Sequence, residues 1–405
     1  MSDFFRYFKF ESATIFIVSF FLYSGYYLGL QTIISLGWMQ YSRYYSVPVR
    51  LFVFLLCVFF IIKKINKKIS KDFGTIFLII SIFSLHYILM VILNLHDQKY
   101  MLEKYEYIVY YLTYSIIFLF FYAFCDVKKN IDIIFKAFVI SGFLFSILCL
   151  YEYGSFFMSG GGRLNQLSFE GETNYISPLV LSYVSVLNFI SAWVYFSLSI
   201  NKNFKYSVLV SITTFLSIPI FILGASRGAF VALFFCILCI LFFSKLKVKL
   251  TALFLIPLVI SFLYFITKIT GNNAFDRFFS MKEDMDSNNE SMSRFDMWNT
   301  ALNNFYKNPV LGGYIDVDGT YVHNIVIEVM MSTGILGVSV FGFCVSYIVI
   351  KYLVLMFPTK SYTLLLFFIL GLIMQLFSGS IYTASIFFAS LGLMISYANS
   401  ERESK

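Results

Sequence analysis

One polar stretch, residues 294–337, carries the side chains that best suit proton transfer and phosphate binding. It lies between long apolar runs and contains Arg294 and the adjacent pair His323 and Asn324. An unperturbed imidazole titrates near pH ~6.5, so it takes up and returns a proton near neutrality. A lone histidine is more often structural than catalytic. His323, however, is the one histidine of three that stands where a polar segment meets an apolar one, and it is our candidate general base.

Two arginines at polar-to-apolar junctions suit the binding of a diphosphate. Arg227 follows Gly224, Ala225 and Ser226 at a break between apolar runs, and Arg294 opens the polar stretch. A guanidinium group presents a planar fork of donors that matches phosphate oxygens. Ionisable side chains in apolar sequence are costly and are functional candidates. The alternative for Arg227 is an anchor at the membrane interface. A base near phosphate-binding groups indicates transfer from a diphosphate donor.

A second polar cluster, before the sixth apolar run, adds two candidates. Arg163 follows three glycines and suits an anion, and Asn174 stands just before the next apolar run. The Asn174 amide suits a sugar hydroxyl, but asparagine is also a favoured N-cap residue. Both interpretations of Asn174 remain open.

The polar stretch itself predicts a short helix. Four residues fall at helical spacing: Arg294, Trp298, Leu302 and Phe305. This pattern predicts an amphipathic helix that lies along the membrane surface. The proline and glycines of segment 308–313 then end it in a turn.

Composition places the chain in the membrane. Its 405 residues are 59% hydrophobic and only 13% charged, whereas a soluble domain is roughly 25% charged. Apolar runs close to the ~20 residues that cross a bilayer recur along the chain. We therefore predict an all-α polytopic integral membrane protein with about twelve transmembrane helices and one large loop, containing short helices, outside one membrane face. The Cys236 and Cys239 pair has metal or redox spacing but lies in an apolar run, where core packing is expected.

The predicted spans divide the chain into three parts: 1–268 with helices one to nine, the catalytic loop 269–333, and 334–405 with helices ten to twelve and a cytoplasmic tail. The spans lie near 13–36, 47–62, 73–93, 107–125, 132–152, 175–199, 205–222, 227–244, 249–268, 334–356, 361–378 and 381–399.

Lysine-rich loops give the orientation. They lie at 63–71, 126–130, 201–205, 244–249 and 358–360. The positive-inside rule places these loops in the cytoplasm, together with both termini, and the first apolar span is expected to be retained. The net charge of +8 is spread over them without a basic domain, so it indicates orientation and not nucleic-acid binding. No zincin, Walker, nucleophile-elbow or EF-hand pattern occurs in the sequence.

At these residues the chain resembles the O-antigen ligase and O-antigen polymerase superfamily of bacterial inner-membrane glycosyltransferases. The motifs that carry the resemblance, in order, are Ser226-Arg227-Gly228, Ser293-Arg294, Trp298, Asn308-Pro309-Val310-Leu311-Gly312, His323-Asn324, Glu328 and Gly334-Ile335-Leu336-Gly337. Each motif is short, but their order and the loop that carries them are typical of the superfamily.

The resemblance implies metal-independent, cofactor-free, inverting glycosyl transfer in the bacterial inner membrane, with the one large loop on the periplasmic side. A polyprenyl-diphosphate-linked oligosaccharide binds at Arg227 and Arg294, and His323 acts as general base on an acceptor hydroxyl. Further substrate-binding candidates are Arg163, Asn174, Asn324 and Glu328. The implied partners are lipid-linked donor and acceptor, membrane lipids, a chain-length regulator and a flippase.

Three activities remain open at this stage. A polymerase transfers the glycan to a second lipid-linked repeat unit, and a ligase transfers it to lipid A-core. The high Phe, Ile and Tyr content indicates an AT-rich locus of the kind that often carries the polymerase, so we favour polymerase. A lipid-linked oligosaccharide flippase is the third possibility. Transporters tend to show repeated halves and broken helices near the midplane. The sequence indicates neither feature, and its polar segments gather on one face of the membrane.

The lysine asymmetry makes a direct prediction about orientation. A membrane-impermeant thiol reagent applied to intact spheroplasts should label Ser287→Cys in the long loop and spare Ser70→Cys in a lysine-rich loop. The opposite labelling pattern would reverse the predicted topology.

Overall fold

The computed structural model describes residues 2–65, 71–93, 96, 98–159, 164, 176–198, 204–246, 249–250, 261, 264–265, 268, 294–359 and 362–403. Within these residues the fold is helical, and the sole β-type pairing is an isolated bridge between Val317 and Thr320. The helices are α1 (Ser2–Phe21), α2 (Ser24–Ser35), α3 (Ser42–Ile65), α4 (Lys71–Leu93), α5 (Lys104–Tyr110), α6 (Ile117–Phe124), α7 (Val127–Met158), α8 (Pro178–Leu198), α9 (Phe204–Gly224), α10 (Arg227–Phe243), α11 (Arg294–Lys307), α12 (Ile325–Thr359), α13 (Thr363–Ser378) and α14 (Ser385–Glu403). A π-helical turn, Tyr111–Ile116, joins α5 to α6, and short 3-10 turns occur at Met39–Tyr41 and Ile381–Thr383.

The predicted multi-pass, all-helical architecture is confirmed. Seven described helices are long and apolar enough to cross a membrane, or eight if the bent α1–α2 pair is one span. Helices α10 and α13 are apolar but shorter. The predicted span 249–268 and the labelling positions Ser70 and Ser287 lie largely or wholly outside the described residues. The count of about twelve spans and the periplasmic side of the loop therefore stay predictions.

The first predicted span, 13–36, is not one straight helix. Its two parts, Phe10–Phe21 and Ser24–Ser35, are bent by 55°. A glycine allows the close turn, because a Cβ atom on Gly25 would lie 2.4 Å from the carbonyl oxygen of Phe20. Hydrophobic periodicity reports only that the segment is apolar, so it does not show such a bend.

Two compact units are formed by segments that alternate along the chain. The first unit comprises residues 1–53, 129–282 and 365–370, and the second comprises 54–128, 283–364 and 371–405. In the first unit, α8 and α9 pack closely, and the amide of Asn188 donates a 2.9 Å hydrogen bond to Ser217. In the second unit, α14 packs on α6 and α12 on α4. All six cysteines, including Cys236 and Cys239, are buried free thiols, as expected for core packing.

A break in α12 shapes the second unit. At Gly334 the backbone leaves helical geometry, with φ 61° and ψ −166°, a combination that glycine alone adopts readily. The turn before α12 repairs the break with four backbone hydrogen bonds: Ile335 N to Pro309 O (2.8 Å), Leu336 N to Val310 O (3.4 Å), Gly313 N to Ser332 O (2.9 Å) and Tyr314 N to Met331 O (3.3 Å). The predicted span start at 334 thus coincides with this break.

His86 supplies one further bond at the break. Its Nε2 atom lies 3.0 Å from the carbonyl oxygen of Thr333. Since a carbonyl only accepts, Nε2 carries the proton in this pairing. A helix break exposes polar backbone groups that hydrocarbon does not satisfy, so the 309–314 turn and His86 together stabilise it.

Glycine at 334 should be essential to this arrangement. A Cβ atom at Gly334 would lie 2.3 Å from the Val310 carbonyl oxygen, and alanine disfavours the positive φ by about 1–3 kcal/mol. We expect Gly334→Ala to lower the unfolding temperature of the purified protein in detergent clearly. Gly342→Ala is the matched control, because no atom lies within 4 Å of a Cβ there. Equal unfolding temperatures for the two variants would contradict this account of the break.

Candidate functional site

The loop between α11 and α12, residues 308–324, is held on one side by buried polar contacts. Asp316 is 2% exposed. Its Oδ2 atom accepts hydrogen bonds from the backbone N–H of Met101, at 2.7 Å, and from the hydroxyl of Tyr107. The Gln98 side chain accepts from Ile315 N at 2.8 Å and donates to Gly313 O at 3.1 Å. Burial raises the pKa of the Asp316 carboxyl, and the two hydrogen bonds to it act in the opposite direction.

The other side of the loop packs on α11. The indole N–H of Trp298 donates a 3.0 Å hydrogen bond to the carbonyl oxygen of Val322, the residue before His323. Four buried side chains form a small core beneath it: Ala301, Val317, Val322 and Met331. The predicted amphipathic helix is therefore confirmed, and its apolar side packs on the loop and on α12. Its predicted position along the membrane surface stays a prediction.

His323 sits at the end of this fixed loop in a strained conformation. Its φ is +59°, which is unusual for a residue with a side chain. The imidazole centroid lies 3.9 Å from the Tyr321 ring centroid. Among the described residues, its Nδ1 atom is buried and has no hydrogen-bond partner. Strained residues persist only where the surroundings enforce them, and they cluster at functional sites.

The environment keeps the His323 imidazole neutral. Burial lowers its pKa from 6.5 to about 4, and the positive charge of Arg294 adds to the effect. A neutral imidazole is the form that accepts a proton. At neutral pH the His323 side chain is therefore in the form that can accept a proton, and its role as general base stays a prediction.

Arg294 and Tyr321 belong to the same group of side chains. Arg294 is the exposed first residue of α11. Burial raises the pKa of Tyr321, and the charge of Arg294 opposes that rise. Because the N-terminus of a helix also carries partial positive charge, Arg294 lies in a region that favours an anion.

Asn324 and Glu328 have structural partners. The Asn324 Oδ1 atom accepts from the backbone N–H groups of Val326 at 3.0 Å and Ile327 at 3.2 Å, so it caps α12. Glu328 is 1% exposed, and its carboxyl oxygens accept from the Ser380 hydroxyl at 2.6 Å and from Ile381 N at 3.0 Å. These bonds connect the start of α12 to the turn before α14. The substrate-binding roles of Asn324 and Glu328 stay predictions.

Arg227 lies in the first unit, at the start of α10. Ser226 caps that helix by accepting from Ala229 N at 3.5 Å, and its own N–H donates to the Ser182 hydroxyl at 3.2 Å. Ala225 has φ +39°, so this turn too contains a strained non-glycine residue. Arg227 is half-buried next to it.

The turn before Arg227 packs closely on α8 at Gly224. A Cβ atom there would lie 2.2 Å from the Ser182 hydroxyl oxygen. The small residues before Arg227 therefore allow the turn to approach α8. The other two candidates, Arg163 and Asn174, lie outside the described residues.

Sequence reasoning missed three residues that build this region. The one signal of Tyr321 in the sequence is an aromatic side chain two positions before the candidate base. In the sequence, His86 is only a polar residue inside an apolar span. Asp316 is only an acidic residue that follows the glycine turn. Their partners are distant in the chain, so periodicity does not reveal them.

Comparison with known proteins agrees with the motifs. Residues 212–342 match the family described as O-Antigen ligase. The match spans every motif on which the resemblance rests, from Ser226 to Gly337, and it confirms the predicted superfamily for this segment. It indicates a membrane glycosyltransferase-like enzyme. None of the curated proteins matches the chain.

The depressed pKa of His323 predicts a pH-dependent stability. The unfolded chain takes up a proton at His323 near pH ~6.5, whereas the folded protein does so only near pH 4. The stability that the folded protein gains by keeping His323 neutral is therefore fully present above pH 6.5 and is lost as the pH falls toward 4. Wild-type protein should lose more thermal stability between pH 7 and about 5 than His323→Gln. If the unfolding temperatures of the two proteins fall equally with pH, then His323 has the same pKa in the folded and the unfolded state, and the prediction is wrong.

Proposed function

We propose that this protein is an O-antigen polymerase, which joins polyprenyl-diphosphate-linked repeat units in the bacterial inner membrane. The observation that carries the proposal is the neutral, strained His323 beside Arg294, on a loop that the family match includes. In this mechanism His323 takes the proton from an acceptor hydroxyl. The hydroxyl oxygen then forms a bond to the anomeric carbon as the bond to the diphosphate breaks, and polyprenyl diphosphate leaves with inversion.

Arg294 has two effects in this mechanism. Its guanidinium group stabilises the charge that develops on the leaving diphosphate. Burial lowers the pKa of His323 in the free protein, and the charge of Arg294 lowers it further. A bound diphosphate offsets that charge, so donor binding makes the imidazole a stronger base at the moment when it is needed. Arg227, in the first unit, is proposed as the second diphosphate-binding arginine.

Several further parts of the proposal rest on the sequence. The lysine asymmetry supports a periplasmic position for the 269–333 loop and cytoplasmic termini. Donor and acceptor are lipid-linked oligosaccharides, and Arg163, Asn174, Asn324 and Glu328 are proposed as additional contacts to them. A chain-length regulator and a flippase are the proposed protein partners.

A ligase is the second candidate function, because the matching family is described as O-Antigen ligase. Both activities use the same donor and the same direct displacement. They differ in the acceptor, which is a second repeat unit in one case and lipid A-core in the other.

Profiling of lipopolysaccharide from a deletion strain tests the proposal. We expect the ladder of long chains to disappear while single repeat units stay attached to the core. Loss of every repeat unit would assign the ligase activity instead. An unchanged ladder would exclude both.

Complementation of that strain tests the residues. His323→Ala should fail to restore the ladder, because removal of a general base costs about a hundredfold to ten-thousandfold in rate. Arg227→Lys and Arg294→Lys should also impair it, since lysine replaces a bidentate fork by a point charge. Protein levels in the membrane serve as the control. A wild-type ladder from His323→Ala would show that the base lies elsewhere.

A further inference from the structure

We infer that the exposed face of α11 next to Arg294 binds a sugar ring of the glycan, with Phe295 as the stacking residue. This inference deepens the proposed function and rests on it for the identity of the ligand. Phe295 is 55% exposed, although it lies in a polar stretch where a smaller polar residue would suffice for solubility. A sugar ring presents a face of C–H groups that packs well on an aromatic ring.

Phe295 is held in place by the same contacts that position His323. Its ring meets the Trp298 ring edge-on, with centroids 5.5 Å apart and an interplanar angle of 65°. The Trp298 indole in turn donates its hydrogen bond to the carbonyl oxygen of Val322. An exposed aromatic ring therefore lies one side chain away from the backbone that carries the candidate base. A rigid aromatic ring loses little conformational freedom when a ligand packs on it.

The neighbouring residues on this face favour a carbohydrate over lipid. Asn299 and Asn303 are exposed and follow Phe295 at intervals of four residues, so the three share one face of α11. Asp296 is exposed beside them. Amide and carboxylate groups form hydrogen bonds with sugar hydroxyls, whereas a face that lies in hydrocarbon is apolar. The buried side chains of α11, Met297 and Ala301, face the protein.

Binding of a soluble glycan tests the inference independently of transfer. The probe is the repeat-unit oligosaccharide released by mild acid from lipid-linked intermediates of cells that lack the protein. It carries no diphosphate, so its binding does not depend on the arginine contacts to phosphate. The dissociation constant is measured with purified full-length protein in nanodiscs, from the fluorescence of Trp298 in a variant with the other two tryptophans, Trp38 and Trp193, replaced by phenylalanine.

We expect Phe295→Leu to weaken binding about fivefold to tenfold, because leucine keeps apolar area but removes the flat ring. Phe295→Tyr should bind within about twofold of wild type, since it retains a ring. Phe343→Leu is the matched control: the same exchange at a 60% exposed phenylalanine of the membrane-spanning helix α12. It should leave the dissociation constant unchanged.

Two results would overturn the inference. One is wild-type affinity in Phe295→Leu, which would mean that apolar area alone is needed there. The other is the lack of saturable glycan binding by wild-type protein. Failure of the proposed function is a separate result: an intact ladder in the deletion strain, or a wild-type ladder from His323→Ala, is read from lipopolysaccharide and not from glycan binding.

Discussion

The break in α12 at Gly334 is the constraint on which the second unit depends. A helix interrupted near hydrocarbon leaves backbone N–H and C=O groups that lipid does not satisfy. The protein meets this requirement with the 309–314 turn and with His86, which bond to both sides of the break. Because these bonds satisfy backbone groups that the break leaves open, the 309–314 turn stays packed against α12. The loop that follows it is then fixed at its first end.

The second end of the loop is fixed by α11 and by the start of α12. Trp298 binds the backbone before His323, and Asn324 caps the helix that follows it. Between these two contacts His323 is forced into a left-handed conformation. Its imidazole is consequently partly removed from water beside a cation, which is the reason that its pKa is low. Thus the satisfied backbone at the helix break helps to set the protonation state of His323, a side chain eleven residues away in sequence from that break.

The first unit uses a similar device on a smaller scale. Gly224, Ala225 and Ser226 form a close turn against α8, and the turn places Arg227 at the start of α10. Small residues are required there because a larger side chain would collide with Ser182. In both units the candidate residue follows a turn whose backbone is specified by close packing, and in both a non-glycine residue has positive φ.

The sequence by itself determined the all-helical membrane architecture, the existence and end of the helix at residues 294–307, and the motifs that the family match includes. These depend on hydropathy, periodicity and local turn chemistry, which act over a few residues. Tertiary structure alone decided that α1 and α2 meet at a 55° bend between Phe21 and Ser24, that Glu328 bonds to Ser380, and that Tyr321 lies against His323. It also decided the low pKa of His323, because desolvation and the field of Arg294 exist only after residues distant in sequence have come together.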